Sequence, residues 1–371
     1  MAYLGMDRPK SKTDYGEYLV RKLIKGDHEL AGLILHPCDP LMDLAKEHSV
    51  PCIPVPFELL QPVPLIRKSL SENERFISFY QTWLSHIRSF GADLGVSIWS
   101  AWVPPDLFSM PKHGFINYHP APLPKMRGME PDTFAILDGL DEIYGTVHKV
   151  NASFDCGDIV RWTKKISIHS YDTPVSVLDR LYREGVRSVL DAVDSFADGS
   201  VKTIPQKAGE GSVATRAMAR EASFIDWDED TTTMLDRKLR AFCGQDIGIR
   251  LKARFKNEIR DVVDLEVYKG EFPGRPGQMI GCYRGRGAFH GAPVVRVPDG
   301  AAVILFGRII EPLEFSSMFY CESPQEKLIA PGFRRRQTSL NTLMRSVAVK
   351  KRAQENLLHS LLSLPEFLAS R

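Results

Sequence analysis

Apolar and polar positions alternate between two periods along the first half of the chain, and the switches between them mark its elements. Ala2-Tyr3-Leu4-Gly5-Met6 predicts a short strand before a polar, basic loop that runs through Lys12. Tyr18, Leu19, Leu23 and Ile24 then recur at helical spacing until Gly26 ends the run. Residues 29–36 read as a buried strand, 41–48 as a helix and 52–55 as another strand. Phe79, Trp83, Ile87 and Phe90 give 76–90 a helical stripe, and 94–100 is again strand-like. Strands alternating with helices predict an α/β unit with a Rossmann-like, mostly parallel sheet, whose ligands lie beyond the carboxyl ends of the strands.

The pattern changes further on. Residues 159–168 predict one strand, and 173–198 a long helix with Thr173 as N-cap and Pro174 at its first position. Val177, Leu178, Leu181, Val186, Leu190 and Val193 form a stripe on that helix that belongs to a core. The Gly/Ser-containing run 208–215 reads as a linker. An amphipathic segment at 231–242 then leads to short strand-like runs at 249–255, 262–268, 277–283, 293–297 and 301–306. Turn residues such as Pro273-Gly274 and Asp299-Gly300 separate them, the punctuation of a small β-barrel. Beyond residue 312, Arg334, Arg335 and Arg336 precede Leu343, Val347, Leu357, Leu361 and Leu364 at helical spacings. That basic, helical extension suits packing on its own domain or a homodimer contact. The expected division is 1–210, 211–312 and 313–371.

Composition narrows the classes. The 371 residues give room for two domains and an extension, and 43% apolar content is ordinary for globular protein. A net charge of +2 supplies no global attraction to nucleic acid or a membrane. The six cysteines form no CxxC pair or other metal-ligand spacing, as expected of scattered reduced thiols. With no basic-then-apolar leader pattern and no apolar run of spanning length, the expected location is the cytoplasm. No Gly-x-Gly-x-x-Gly follows the first strand and no P-loop occurs, so dinucleotide binding and phosphoryl transfer lack their phosphate cradles.

The candidate chemistry centres on Gly114-Phe115-Ile116-Asn117-Tyr118-His119-Pro120, which continues as Ala121-Pro122-Leu123-Pro124-Lys125-Met126-Arg127-Gly128. Asn117 and His119, two apart on a strand, leave the same face. An amide donor and an imidazole at one spot can manage an oxyanion at a carbonyl carbon, although a strand end with two satisfied polar residues would look the same. Residues 145–160 read as strand, turn and strand, with Asp155 and Gly157 in the turn. Lys125 and Arg127 are candidates for an anionic part of a ligand, and Glu130 and Asp132 for an incoming amine. The turn Trp99-Ser100-Ala101-Trp102-Val103-Pro104 offers aromatic surface to a flat heteroaromatic ligand, or packs as a strand-to-helix corner.

Asn117-Tyr118-His119-Pro120, Leu123-Pro124, Arg127-Gly128, then Gly145, His148 and Asp155-Cys156-Gly157-Asp158 together resemble the folate-dependent formyltransferase family. The resemblance implies a catalytic trio of Asn117, His119 and Asp155 with His148 in support. It implies 10-formyltetrahydrofolate as formyl donor, bound by Ala101, Trp102, Val103 and Asp158, and no metal. It also implies an OB-like barrel as second domain, introduced by Ile225-Asp226-Trp227 and Arg240-Ala241-Phe242. The likeness extends over roughly residues 1–310, and the last sixty residues fall outside it. Ala121, Cys156 and a bulky Tyr118 depart from the family pattern without removing a catalytic group.

Within the family the acceptor separates the readings. The methionyl-tRNA enzymes carry a basic insertion after the second strand, whereas His36-Pro37-Cys38-Asp39-Pro40-Leu41 holds no Lys or Arg to grip phosphates. A small-molecule amine is therefore the expected partner, such as a nucleotide-linked amino sugar or a natural-product or siderophore amine. A tRNA acceptor, formyltetrahydrofolate hydrolysis and non-catalytic folate binding are the alternatives.

Overall fold

The computed structural model describes residues 2–4, 11–37, 39–98, 102–207, 209–242, 249–255, 258–284 and 287–312. The basic extension expected at 313–371 lies outside the described residues. The chain divides into two compact units: the first takes residues 1–132, 141–169 and 176–215, and the second 133–140, 170–175 and 216–371.

The chain opens with β1 (Ala2–Leu4), α1 (Ser11–Lys25), β2 (Gly32–Leu35), α2 (Leu41–Glu47) and β3 (Cys52–Pro54). It continues through α3 (Val63–Glu72), α4 (Glu74–Arg88), β4 (Gly95–Ser97), α5 (Pro105–Phe108) and β5 (Phe115–His119). Then come β6 (Arg127–Gly128), α6 (Pro131–Leu137), β7 (Glu142–Ile143), β8 (Thr146–Lys149), β9 (Ile159–Trp162) and β10 (Ile166–Ser167). The long α7 (Pro174–Ala197) and β11 (Val213–Ala214) follow.

Seven strands form the main sheet in the order β3-β2-β1-β4-β5-β8-β9. It is parallel from β3 through β5, and β8 and β9 are added antiparallel. The parallel part, expected from the alternating pattern, is the doubly wound arrangement of a Rossmann-like sheet. One face packs Leu33, Leu35, Val96, Ile116 and Tyr118 with Leu19, Leu23, Val186 and Val193 of α1 and α7. The other packs Ile34 and Phe115 with Ile66, Tyr80, Trp83 and Leu107. Because side chains alternate along a strand, Phe115 in the second core puts Asn117 and His119 on that same side of β5. They sit at its carboxyl end, where the apolar cover stops.

Several boundaries differ from the sequence expectation for definite reasons. In α1 the buried line is Tyr15, Leu19, Val20 and Leu23, while Tyr18 is 47% exposed: residues four apart align on the core side and Tyr18 falls off that line. The helix α3 was masked by Pro62 and Pro64, which occupy its start, where proline is tolerated. The expected strand 159–168 is two strands, since the chain leaves β8 after Trp162 and Ile166–Ser167 pair with β7 instead. The expected linker 208–215 is not a free connection. Its β11 pairs in parallel with β6, Val213 opposite Arg127 and Ala214 opposite Gly128.

The second unit contains α8 (Arg216–Ala222), α9 (Thr232–Phe242) and the strands β12 (Lys252–Phe255), β13 (Glu258–Lys269), β14 (Met279–Cys282), β15 (Pro293–Val297) and β16 (Gly300–Pro312). They form one antiparallel sheet in the order β12-β13-β16-β15-β14. Asp299 caps α9, accepting from the Thr232 N–H at 2.6 Å and its hydroxyl at 2.8 Å. Lys238 is buried along its stem, and its ammonium donates to Asp230 at 2.6 Å and to the Phe224 carbonyl at 2.7 Å. The strands were expected to close into an OB-like barrel. Among the described residues β12 and β14, four residues each, remain edges of an open sheet built on the longer β13 and β16.

Candidate active site at the end of β5

The sheet register builds the site. Asn117 of β5 lies directly opposite His148 of β8 in the antiparallel ladder, so their side chains share a face, and the Asn117 amide Nδ2 stands 3.3 Å from His148 Nε2. His119, two residues on, lies on that face opposite Thr146. A register shift between Val147 and His148 interrupts the regular β8–β9 ladder beside this point. The connection from β8 to β9 then carries Asp155 into the site.

That connection is tightly constrained. Asp155 has φ +53°, a left-handed conformation that Asp tolerates better than most residues. A Cβ on Gly157 would stand 1.7 Å from the Lys149 carbonyl oxygen, so only glycine lets the turn close on β8. The Asp155 carboxylate accepts the Gly128 N–H at 2.8 Å and contacts both imidazoles, His119 Nδ1 at 3.6 Å and His148 Nε2 at 3.5 Å.

Burial alone would push this carboxyl up. The His119 charge, the His148 contact and the Gly128 N–H outweigh burial and hold it down, at about 2. Asp155 is therefore an anion at neutral pH. His119 donates from Nε2 to the Met126 carbonyl at 2.8 Å, which directs Nδ1 at the carboxylate. At 3.6 Å the latter is a charge contact longer than a hydrogen bond. His148 donates from Nδ1 to the Lys149 carbonyl at 2.8 Å, leaving Nε2 to face Asn117 and Asp155. Asn117 Oδ1 is buried with no hydrogen-bond partner. A buried amide oxygen of this kind marks either a ligand position or an amide poised to turn over.

The structure thus brings Asn117, His119, His148 and Asp155 together. The residues expected to hold the donor are distributed more loosely. Val103 is buried in the core around Phe115, Trp102 donates weakly to the Ala152 carbonyl at 3.4 Å, and Arg67 lies 5.5 Å over its ring. Ala101 lies outside the described residues. Asp158 accepts the Lys149 N–H through its carbonyl at 2.8 Å and faces the Thr203 hydroxyl at 3.4 Å. Of the residues assigned to a substrate, Lys125 is exposed and Asp132 buried. Glu130 is buried at φ +61° with Oε1 unpartnered.

Arg127 is engaged elsewhere. It donates to Gln206 Oε1 from Nε at 3.1 Å and Nη2 at 2.7 Å, and to the Glu210 carbonyl at 3.1 Å. Gln206 and Ser212 escaped the sequence reading because they sit in a polar, glycine-punctuated run. The one available signal was the pair Gly209 and Gly211, both at positive φ, at 80° and 101°. A Cβ on Gly211 would stand 2.0 Å from the Pro124 carbonyl oxygen, the mark of a segment packed against another backbone.

Among the described residues no group of His, Cys, Asp or Glu is arranged to hold a metal ion. Among them, too, no helix is long and apolar enough to cross a membrane.

Comparison with known proteins places this geometry in context. Residues 61–193 match the family model described as formyl transferase. The methionyl-tRNA formyltransferase of Bacteroides fragilis is 28% identical over 228 residues, covering 60% of this chain and 67% of the relative. The crystal structure of WlaRD, a sugar 3N-formyl transferase in the presence of dTDP and 5-N-formyl-THF, aligns with a TM-score of 0.52 at 14% identity, over 82% of this chain and 96% of that one. A variant of HypX from Aquifex aeolicus aligns with a TM-score of 0.50 at 19% identity, over 82% of this chain. The chain spans 43% of the length of HypX.

Proposed function

We propose, from the match of residues 61–193 to the formyl transferase family and the likeness to methionyl-tRNA formyltransferase, that the chain is a folate-dependent formyltransferase that moves a formyl group from 10-formyltetrahydrofolate to an amine of a small molecule. The observation that carries this reading is the constellation of Asn117, His119 and His148 around one buried carboxylate, Asp155. The bound donor would supply an electrophilic formyl carbonyl. Trp102 and Val103 would form part of its wall, and the unpartnered Asn117 Oδ1, an acceptor, fits a ligand that brings an N–H, as the attacking amine does.

Amine attack places negative charge on the formyl oxygen and leaves a proton to be removed from nitrogen. Asp155 is poorly suited to take that proton directly. Its neighbours hold this carboxyl well below the usual carboxylate range, which disfavours its protonation at neutral pH. Its role is to stay ionised and favour the cationic form of His119, whose ring charge, with Nδ1 turned to the carboxylate and Nε2–H on the Met126 carbonyl, stabilises the developing oxyanion through space. A cationic His119 has no lone pair for that proton, which passes to the folate nitrogen as its bond to the formyl carbon breaks, so that tetrahydrofolate leaves neutral and the amide product forms.

Asn117 supplies a donor. Its amide Nδ2 carries two N–H groups, one directed at His148 Nε2 at 3.3 Å, which leaves the other for the oxyanion. One preorganised donor of this type contributes roughly 3–4 kcal/mol to the transition state.

A small amine is favoured over tRNA because β2 passes into α2 through residues 36–40, which hold no Lys or Arg and are closed by Asp39 accepting the Leu41 N–H at 2.9 Å. Without cations there, this turn offers phosphates no grip. The methionyl-tRNA enzymes among the relatives keep the tRNA acceptor as a second reading. The test follows tetrahydrofolate release from 10-formyltetrahydrofolate with separate pools of amino-sugar nucleotides, amino acids including hydroxyornithine, and methionyl-tRNA. Release with one small-amine pool is expected. Release only with tRNA selects the second reading, and release with no acceptor selects hydrolysis.

A further inference from the structure

We infer that Gln206 is a positioning residue for Asp155, an inference that rests on the role proposed above for that carboxylate. Its side-chain amide is used to capacity. Oε1 accepts twice from Arg127, at 3.1 and 2.7 Å, and Nε2 donates to the carbonyls of Asp155 at 2.9 Å and Gly157 at 2.7 Å. An amide with both ends engaged has one orientation, because turning it over would set Nε2–H against Arg127 and Oε1 against two carbonyls.

The two carbonyls it holds flank Cys156, so one side chain fixes the peptide planes on both sides of the Asp155 turn. Asp155 needs that support, because it occupies a left-handed conformation, at φ +53°, which the chain does not favour by itself. Through Arg127 the same amide reaches the loop after β5. The Gly128 N–H of that loop holds the Asp155 carboxylate at 2.8 Å, and its Met126 carbonyl holds His119 at 2.8 Å. Gln206 therefore ties together both partners of the His119–Asp155 contact.

The following segment straps that loop down. The Met126 N–H donates to the Ser212 hydroxyl at 2.9 Å, the Arg127 N–H to the Ser212 carbonyl at 2.9 Å, and the Met129 N–H to the Ala214 carbonyl at 2.8 Å. Gly128 and Gly211 permit the approach: a Cβ on either would stand 2.5 Å from the Ala214 oxygen and 2.0 Å from the Pro124 oxygen respectively. A strap this close transmits the placement of Gln206 instead of absorbing it.

The test is a pH titration of the His119 ring by NMR in the full chain, assigned with His119→Gln. Wild type, Gln206→Met and Asp155→Asn are compared, with circular dichroism as the check on folding. Loss of the amide lets the carboxylate drift from the imidazole, so the Gln206→Met midpoint is expected to fall by about one pH unit, towards that of Asp155→Asn. A role confined to general stability lowers the melting temperature and leaves this midpoint alone. An unchanged midpoint in folded Gln206→Met, or in Asp155→Asn, overturns the inference. If Gln206→Met does not fold, Gln206→Asn carries the test: its shorter amide is expected to give an intermediate midpoint, and the wild-type value overturns the inference. The titration needs neither formyl donor nor acceptor. A lowered midpoint in a chain that transfers no formyl group would sink the proposed reaction and leave the clamp standing. In an active chain, Gln206→Met is expected to lower kcat roughly 10- to 100-fold with little change in KM for the folate.

Discussion

Replacing Asp155 by Asn removes the charge at the centre of the site while keeping the shape of the side chain. The carboxyl is held at about 2, against 3.8 for the unperturbed group, despite a burial that opposes ionisation. A folded-state value below the unfolded one means the folded chain favours the anion. That contribution is fully present above about pH 4 and is lost as the pH falls through 3.8 towards 2. The difference corresponds to roughly 2 kcal/mol. Asn resembles the protonated acid, so Asp155→Asn should be less stable than wild type by about that amount at pH 7. The gap should narrow steadily below pH 4. Urea unfolding followed by tryptophan fluorescence reads this in the right unit, since among the described residues Trp83, Trp102 and Trp162 belong to the first unit and Trp227 alone to the second. A variant as stable as wild type at pH 7, or a gap that stays constant down to pH 3, would refute the reasoning. Either result would mean the two imidazoles and the Gly128 N–H do not stabilise the anion.

Other perturbations separate architecture from chemistry. In Gly157→Ala the new methyl meets the Lys149 carbonyl oxygen, a backbone atom that cannot rotate away, so a loss of about 2 kcal/mol or more in urea unfolding is expected together with loss of activity; a stable, active variant would contradict the packing described here. Tyr118 points from β5 to the opposite face, where its hydroxyl donates to the Leu181 carbonyl at 2.6 Å between Gly145 and Gly185, so Tyr118→Phe should cost about 1 kcal/mol in unfolding and leave kcat within a few-fold of wild type. Asn117→Leu should lower kcat roughly 100- to 1000-fold while the KM for the folate changes little, in steady-state kinetics with whichever amine pool supports tetrahydrofolate release.

The parts of this molecule written by periodicity were legible. The alternation of strands and helices gave the parallel sheet, and the period-two offset of Asn117 and His119 placed both on one face of β5. Proximity of Asp155 came from a matched motif, because nothing local in 145–160 says which way that turn folds. The remaining features depend on backbone geometry that composition hides. The run 208–215 looked like a linker because its glycines serve a close approach to the loop after β5, and freedom and tight contact call for the same residue. Arg127 looked available for an anion until Gln206, 79 residues away in sequence, was found on its guanidinium. The five strands of the second unit were read as strands, two of them shorter than the β13 and β16 that form, but closure depends on edge pairing, and that has no signature in their alternation.

The most direct measurement of the central claim is single-turnover release of tetrahydrofolate from 10-formyltetrahydrofolate, with an amine acceptor present, in wild type and His119→Ala, alongside folate binding by each. With His119 as the cation facing the formyl oxygen, His119→Ala should release tetrahydrofolate at least about 100-fold more slowly and still bind folate. Release at the wild-type rate by His119→Ala would contradict the account.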